Sequence, residues 1–140
     1  DLSRSDMAEV IEDAFRYPRM VLAASSYDGG VFPVMHDFLH HLQIKNFQKR
    51  RIGIIENGSW APCAARAMRS ILDHMKDITL AEPIVTLRSR MKQTDIPAME
   101  ALVLHSFSIF LRLFIFFGYI SLQLINTIII DLTEPHKVFI

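Results

Sequence analysis

The 140-residue sequence predicts one α/β domain with a parallel sheet, and three observations support this fold class. Short apolar runs alternate with longer segments whose apolar residues recur at helical spacing. Polar turn residues follow two of the apolar runs, and a proline stands shortly after each turn, where a helix is expected to begin. The resulting order of helix, strand, helix, strand, helix, strand, helix implies right-handed crossovers between parallel strands.

The first helix is marked at both ends. Ser3 and Asp6 form an S-x-x-D start signal. Apolar residues then recur at i, i+3, i+4 and i+7 from Met7, and Pro18 ends the pattern. The apolar run that follows at residues 20–25 is typical of a strand buried on both faces of a sheet.

A strand, a polar turn and a helix then follow each other twice. The first strand ends in Tyr-Asp-Gly-Gly at residues 27–30, and Pro33 suits the first position of the next helix. A second apolar run at residues 52–55 ends in Glu-Asn-Gly-Ser-Trp at residues 56–60, and Pro62 is predicted to open the helix after it. We therefore expect two polar loops at the carboxyl edge of the sheet.

The remaining elements are less regular. A third strand is predicted within residues 79–87, where Pro83 weakens the pattern. A final helix is predicted over residues 95–101. Charged residues become rare beyond this helix, so we divide the chain into a domain at residues 1–101 and an apolar tail at residues 102–140.

Composition excludes some classes of function. Fifteen Lys and Arg balance fifteen Asp and Glu, so no overall charge attracts nucleic acid. The single cysteine, Cys63, cannot form an internal disulfide, which is typical of a reducing compartment and favours the cytoplasm. Because the chain opens on Asp1 without a basic and then apolar leader, we expect it to begin inside a longer reading frame.

The two polar loops are the candidate binding site, because ligands of open parallel sheets bind outside the carboxyl ends of the strands. Each loop carries small residues that let a ligand approach the backbone, and one aromatic residue, Tyr27 or Trp60. The two aromatic rings could pack against a flat heterocycle and contribute about 0.5–1.5 kcal/mol each beyond area burial. The alternative is that the two turns only reverse the chain and cover the sheet edge.

Two stretches of the sequence resemble a known protein family. SSYDGGVFPVMHDFLHHL at residues 25–42 and RRIGIIENGSWAPCAARAM at residues 50–68 resemble the third and fourth strands, flavin loops and helices of the flavodoxin-like domain of flavodiiron proteins (A-type flavoproteins). The resemblance runs from about Ser5 to about Ala101 and implies a partial three-layer flavodoxin-like fold that retains strands three to five. It also implies FMN as the cofactor, an electron carrier held by stacking and hydrogen bonds.

Carried over by position, the resemblance assigns nine residues to the isoalloxazine ring of FMN: Ser26, Tyr27, Asp28, Gly29 and Gly30 in one loop, and Asn57, Gly58, Ser59 and Trp60 in the other. Tyr27 is the first stacking partner to test. No Thr-x-Thr-Gly-x-Thr-like phosphate loop occurs in the sequence, and the first strand, first helix and second strand would precede Ser5. We therefore expect weak or absent FMN binding by this chain alone, and an exposed apolar edge on the strand at residues 20–25.

In the parent family, the resemblance implies an electron-transfer module of an oxygen or nitric oxide reductase. Its partners would be a di-iron metallo-β-lactamase-like domain and a rubredoxin-like or NADH-linked electron donor, in a homo-oligomer. The iron ligands would lie upstream, so we assign no catalytic or metal-binding residue here and expect no turnover. His36 and His40 stand i, i+4 on one helix face, but they lie off the apolar stripe, which favours a solvent-facing role over a metal site. Cys63 is interpreted as a small helix residue rather than a reactive thiol.

The tail allows several interpretations. Residues 113–130 are free of charge over eighteen residues, which predicts a long apolar C-terminal helix close to the length that spans a bilayer. Arg88, Arg90, Lys92 and Arg112 precede it, so a spanning segment would leave the domain in the cytoplasm. The alternatives are an element buried in the domain, or a frame-disrupted or read-through sequence. Two further hypotheses follow for the chain, namely a membrane-anchored interaction module without flavin and an inert truncated product.

Overall fold

The computed structural model of the protein describes residues 1–106 and the short strand at residues 138–139. The α-helices of this part are Met7–Arg16 (α1), Pro33–Ile44 (α2), Ala64–Leu72 (α3) and Ile96–Ser106 (α4), with a 3-10 turn at Gln93–Asp95 before α4. The strands are Arg19–Tyr27 (β1), Gly30–Val31 (β2), Arg50–Asn57 (β3), Ile78–Leu80 (β4), Val85–Leu87 (β5) and Val138–Phe139 (β6). The predicted alternation of helices and strands is confirmed.

The sheet is built around β1 and β3. These strands run parallel, from the pair of Arg19 with Arg51 to the pair of Ser25 with Asn57. Both β4 and β5 pair in parallel with β3, β4 near its start and β5 at its end. The single third strand predicted within residues 79–87 is thus two short strands, since Pro83 between them has no N–H group for a strand ladder.

The sheet is mixed, and the prediction of a wholly parallel sheet was wrong at one edge. β2 pairs antiparallel with the end of β1, Tyr27 facing Gly30. Between them, Asp28 has a φ of 47° and Gly29 a φ of 74°. Two successive left-handed residues are the signature of a two-residue type I′ hairpin, which returns the chain at once beside the strand it left.

The edge of β1 opposite β3 is paired at two places. β6 runs parallel to it at Val21 and Leu22, and β2 covers its end at Ser26 and Tyr27. The prediction of an exposed edge on this strand was therefore wrong at Val21 and Leu22, because a later segment of the same chain supplies a partner. A strand edge covered in this way is a weaker template for aggregation.

Helices cover both faces of the sheet. On one face α2 and α3 bury Phe38, Leu39 and Met68 in the larger core. On the other face Leu102 of α4 packs with the smaller core. α4 continues past Ala101, the predicted end of the domain, and approaches closely over Gly53, where an added Cβ would lie 3.2 Å from Leu102 Cδ1.

Two helix starts differ in detail from the sequence pattern. Asp6, rather than Ser3 of the S-x-x-D signal, caps α1, and it accepts a hydrogen bond from the backbone N–H of Ala8 at 2.8 Å. α3 begins at Ala64 rather than at Pro62. Proline at the first position of α2 is confirmed at Pro33.

The predicted apolar helix at residues 113–130 lies outside the described residues, as does most of the predicted tail. Within residues 1–106 and 138–139, no helix combines the length and the hydropathy that a bilayer crossing requires.

Candidate functional site

The two loops of the predicted site leave the sheet side by side. They follow β1 and β3, and the last residues at which these two strands pair with each other are Ser25 and Asn57. The expectation that both loops lie at the carboxyl edge is confirmed, and this edge is where open α/β sheets bind ligands.

The loop at residues 27–30, here called the turn loop, is held by local contacts. Its type I′ turn closes the β1–β2 hairpin, and the backbone N–H of Phe32 donates to the carbonyl of Ser25 at 3.0 Å. Tyr27 is 55% exposed, and its ring packs edge-to-face against Phe32 with centroids 5.8 Å apart. The Tyr27 ring is therefore fixed on one side and open to a ligand on another.

The loop at residues 57–62, here called the braced loop, is tied to the chain that follows β5. The side-chain Nδ2 of Asn57 donates to the carbonyl of Ser89 at 2.6 Å, and its Oδ1 accepts from the Ser89 backbone N–H at 3.2 Å. The backbone N–H of Gly58 donates to the carbonyl of Leu87 at 3.1 Å. Asn57 is thus engaged by the protein through both atoms of its amide.

Ser26 joins the two loops through the start of α3. Its Oγ accepts hydrogen bonds from the backbone N–H of Cys63 at 2.8 Å and of Ala64 at 3.1 Å. In return, Cys63 Sγ donates to the carbonyl of Gly30 in the turn loop at 3.3 Å. The Ser26 hydroxyl therefore acts as a helix cap supplied from a different strand.

Glu56 is a buried residue of this edge that the sequence reasoning did not single out. It is 7% exposed, and one carboxylate oxygen accepts from the backbone N–H of Ala65 at 2.8 Å. The other accepts from Thr86 Oγ1 at 2.8 Å. The carboxylate links β3, α3 and β5 in one place, and a carboxylate near a helix N-terminus also complements the helix dipole. The signal in the sequence is a glutamate directly after the apolar run at residues 52–55.

Glycine is required at position 58. A Cβ added there would lie 2.9 Å from Pro62 Cα, closer than Cβ atoms approach the backbone, and a tight 3.0 Å from the Ser26 side-chain Oγ. Trp60, two residues further, is 96% exposed. The loop therefore brings backbone close to the start of α3 and presents one large aromatic side chain to solvent.

An apolar cavity of about 710 Å³ opens beside the same ends of β1 and β3. It is lined by Leu2, Ala23, Phe32, Ile55, Asn57 and Met99, among others. Of the nine predicted site residues, Asn57 lines this cavity, Ser26 lies near the end of β1, and the other seven belong to the turn loop and the braced loop. The cavity volume falls within the range of small-molecule and cofactor sites.

The residues of this edge fit the ring half of an FMN site better than the phosphate half. Each loop offers an exposed aromatic ring, and the turn loop also offers open backbone at Gly29, where no atom of the described residues lies within 4 Å of an added Cβ. A phosphate group needs free N–H donors, such as those of a helix N-terminus. The first N–H groups of α3 are already bound by Ser26 and Glu56. Asp1 also lines the cavity, and its carboxylate would repel a phosphate group.

Histidine residues form no metal site in the part of the chain that the structure describes. Within it, no group of three or more His, Cys, Asp or Glu side chains is arranged to hold a metal ion. His40 and His41 lie beside each other, with ring centroids 6.3 Å apart.

Parallel strands β1, β3, β4 and β5, helices on both faces and loops gathered at the carboxyl edge define a flavodoxin-like α/β domain. No family model matches the sequence, and no curated protein matches it. Among solved structures, the fold is similar to rubredoxin oxygen:oxidoreductase from the anaerobe Desulfovibrio gigas, with a TM-score of 0.56 and 13% identity over 71% of this chain and 31% of that one. It is also similar to a flavodoxin from the domain Archaea, with a TM-score of 0.57 and 15% identity over 74% of this chain and 68% of that one.

These likenesses confirm the resemblance at the level of the fold. The chain spans about a third of the length of the rubredoxin oxygen:oxidoreductase and about two thirds of the flavodoxin. At such identities the likeness establishes how the chain is folded, and function must be argued from the site.

Proposed function

We propose that the chain is part of the FMN-binding electron-transfer module of a flavodiiron-type oxygen or nitric oxide reductase. The observation that carries the proposal is the pairing of Ser25 with Asn57, which places two glycine-containing loops with one exposed aromatic residue each at the ligand edge of the sheet. The fold likeness to a flavodoxin and to a rubredoxin oxygen:oxidoreductase supports it.

In this proposal the residues divide the work of holding the isoalloxazine ring. Tyr27 stacks on one side of the ring, and Trp60 covers it from the braced loop. Backbone groups at Asp28 and Gly29 hydrogen-bond one ring edge, because no atom of the described residues lies within 4 Å of a Cβ added at Gly29. The Gly58 N–H already donates to the Leu87 carbonyl, so a contact of Gly58 with the ring would come from its own carbonyl. FMN supplies one- and two-electron transfer, and the protein tunes it by stacking and by hydrogen bonds. The proposed partners are the di-iron domain of the parent protein and a rubredoxin-like or NADH-linked donor.

The test uses Trp60 as the reporter, because it is the only tryptophan of the chain and is 96% exposed. The chain is titrated separately with FMN and with riboflavin while tryptophan fluorescence is followed. We expect both flavins to quench Trp60 with dissociation constants that agree within about threefold, since the described residues hold the ring and offer no phosphate cradle. No quenching by either flavin up to about 1 mM would contradict the proposal.

Tyr27→Ala tests the stacking role directly. We expect it to weaken riboflavin binding by up to about tenfold, the equivalent of the aromatic contribution to stacking. Tyr17→Ala, which removes the same side chain at the end of α1, is the matched control and should leave flavin binding unchanged. Equal affinities for all three chains would remove Tyr27 from the site.

A second candidate, a flavodoxin-like interaction module without flavin, is favoured by one observation. The Ser26 hydroxyl, the Glu56 carboxylate and the Asn57 amide all lie at the ligand edge, and all are hydrogen-bonded within the protein. A folded chain that quenches with neither flavin would favour this candidate.

A further inference from the structure

Four exposed basic side chains surround the braced loop. Arg66 stands in the first turn of α3, and Arg88, Arg90 and Lys92 follow β5 within five residues. We call these four residues the basic rim. Among the described residues, the ion pairs of the protein involve other side chains, so the basic rim is not neutralised internally.

Backbone contacts fix where the basic rim lies. Ser89 is hydrogen-bonded to Asn57 through both its N–H and its carbonyl, and Arg88 and Arg90 are its direct neighbours in the chain. Trp60 is three residues beyond Asn57, and each residue spans at most about 3.6 Å, so the Trp60 Cα lies within about 11 Å of the Asn57 Cα. Ser89 has a φ of 72°, a conformation that non-glycine residues rarely adopt, so the bonds to Asn57 hold this loop in one shape.

The charges of the basic rim are not explained by the fold. Arg66 stands in the first turn of α3, where the helix dipole disfavours a cation, and no acidic residue shares that turn. The carboxylates of this edge lie apart from the basic rim or are already engaged. Glu56 is buried and hydrogen-bonded, and Asp95 binds the backbone N–H of Lys92. Asp28 stands on the turn loop, and Asp1, which lines the cavity, pairs with Arg4. The four cations of the basic rim therefore stand beside the braced loop without an ion-paired carboxylate among the described residues, on a chain whose overall charge is zero.

Two exposed apolar side chains lie among these cations. Trp60 is 96% exposed and Met91 is 53% exposed. Tryptophan, methionine and arginine are the residue types enriched in protein–protein interfaces, and an apolar centre with a charged rim is their usual layout. Nucleic acid is a poorer match, because phosphate-tracking proteins neutralise about six to ten phosphates with a longer basic stripe.

We propose that this edge is a docking surface for an acidic protein, whose carboxylates pair with the basic rim and whose apolar side chains cover Trp60 and Met91. Opposite charges across such a surface raise the rate of encounter and select the partner, while the apolar centre prolongs the complex. The inference goes beyond flavin binding and requires no flavin in the site.

The probe is a fluorescein-labelled peptide with six glutamates around a central Phe-Leu pair, titrated with the full chain and followed by fluorescence anisotropy. One variant reverses the charge of the loop after β5, and its matched control reverses three exposed cations at the opposite, amino edge of the sheet. The two triple variants are R88E/R90E/K92E and K45E/K49E/K76E. They change the net charge equally, so any difference in peptide affinity between them depends on where the substituted cations lie. We expect at least about a tenfold loss of peptide affinity for the first and less than about threefold for the second.

Equal losses for the two variants would overturn the proposal, as would equal affinity for a peptide with glutamine in place of glutamate. Tighter binding of a labelled single-stranded DNA or of phosphatidylserine vesicles than of the acidic peptide would also overturn it. Should the charge reversal unfold the chain, R88Q/R90Q/K92Q gives the same test with a smaller change. Riboflavin titration of these variants keeps the two proposals separate, because none of the three residues belongs to the ring loops.

Discussion

The turn loop and the braced loop stand side by side at one edge of the sheet, yet they are stabilised in different ways. The turn loop takes its shape from its own residues, since Asp28 and Gly29 adopt the left-handed conformations of a two-residue hairpin. A weak hydrogen bond from Cys63 Sγ to the Gly30 carbonyl reaches it from outside. The braced loop depends on residues far along the chain, because Asn57 binds Ser89, and Glu56 just before the loop binds Thr86. One wall of the candidate site is therefore a local structure, and the other exists only when three elements have assembled.

This difference predicts how substitutions spread. A substitution in the turn loop should lower the free energy of unfolding only by the backbone strain it adds to the turn. A substitution in the braced loop should also weaken the packing of α3 and β5. Free energies of unfolding from urea titrations, followed by circular dichroism, measure this. Tryptophan fluorescence is a poor probe of unfolding here, since Trp60 is already 96% exposed in the folded chain.

Glu56→Ala should have the largest effect. It leaves the Ala65 N–H and the Thr86 hydroxyl without their buried acceptor, and hydrogen bonds to charged groups contribute about 1.5–3 kcal/mol each. We expect a loss of about 3 kcal/mol in the free energy of unfolding. The control is Glu12→Ala, whose exposed ion pair with Arg16 should be worth less than about 0.5 kcal/mol. Similar losses for the two variants would mean that Glu56 does not brace the loop.

Gly58→Ala should come next, at about 2 kcal/mol, because the added Cβ meets the Pro62 backbone 2.9 Å away and the loop must move. Flavin quenching of Trp60 should weaken in parallel if the braced loop is a wall of the site. Gly30→Ala is the control in the turn loop, where a Cβ would lie 3.7 Å from the Tyr27 carbonyl, an ordinary contact. Unfolding of the Gly58→Ala chain at the same urea concentration as the parent chain would contradict the clash.

Ser26→Ala tests the link between the loops. It removes the acceptor for the Cys63 and Ala64 N–H groups, and the loss of a helix cap costs about 1 kcal/mol. Ser59→Ala, an exposed serine of the braced loop, should change the unfolding free energy by less than about 0.5 kcal/mol. If both substitutions are neutral, the start of α3 is capped in some other way.

The same contrast explains how much of the molecule could be predicted from its sequence. The turn loop and the start of α2 are encoded by neighbouring residues, Tyr-Asp-Gly-Gly and Pro33, and both were predicted. The roles of Glu56, Asn57 and Ser26 could not be predicted, because their partners lie 30, 32 and 37 residues away in the chain. Sequence periodicity reports which residues are buried, but it does not report which distant polar groups meet.

Strand pairing shows the same limit. The central strands β1 and β3 were predicted from their apolar runs, and their parallel pairing followed from the helix between them. The antiparallel β2 was missed because two residues are too few for an alternating pattern. The partner of Val21 and Leu22 was missed because β6 lies more than a hundred residues later.

Gly29→Ala should have the smallest and most confined effect. Nothing lies within 4 Å of the added Cβ, so the cost is the left-handed φ of 74° alone, about 1 kcal/mol or less. Gly29→Asn should recover part of it, because asparagine tolerates this conformation. In a double variant of Gly29→Ala with Glu56→Ala, the losses in the free energy of unfolding should add to within about 0.5 kcal/mol. The losses of Ser26→Ala and Glu56→Ala should not add, since both residues hold the start of α3. Strong coupling between Gly29 and Glu56 would show that the two loops form one cooperative structure. The turn loop would then not be stabilised independently of the braced loop.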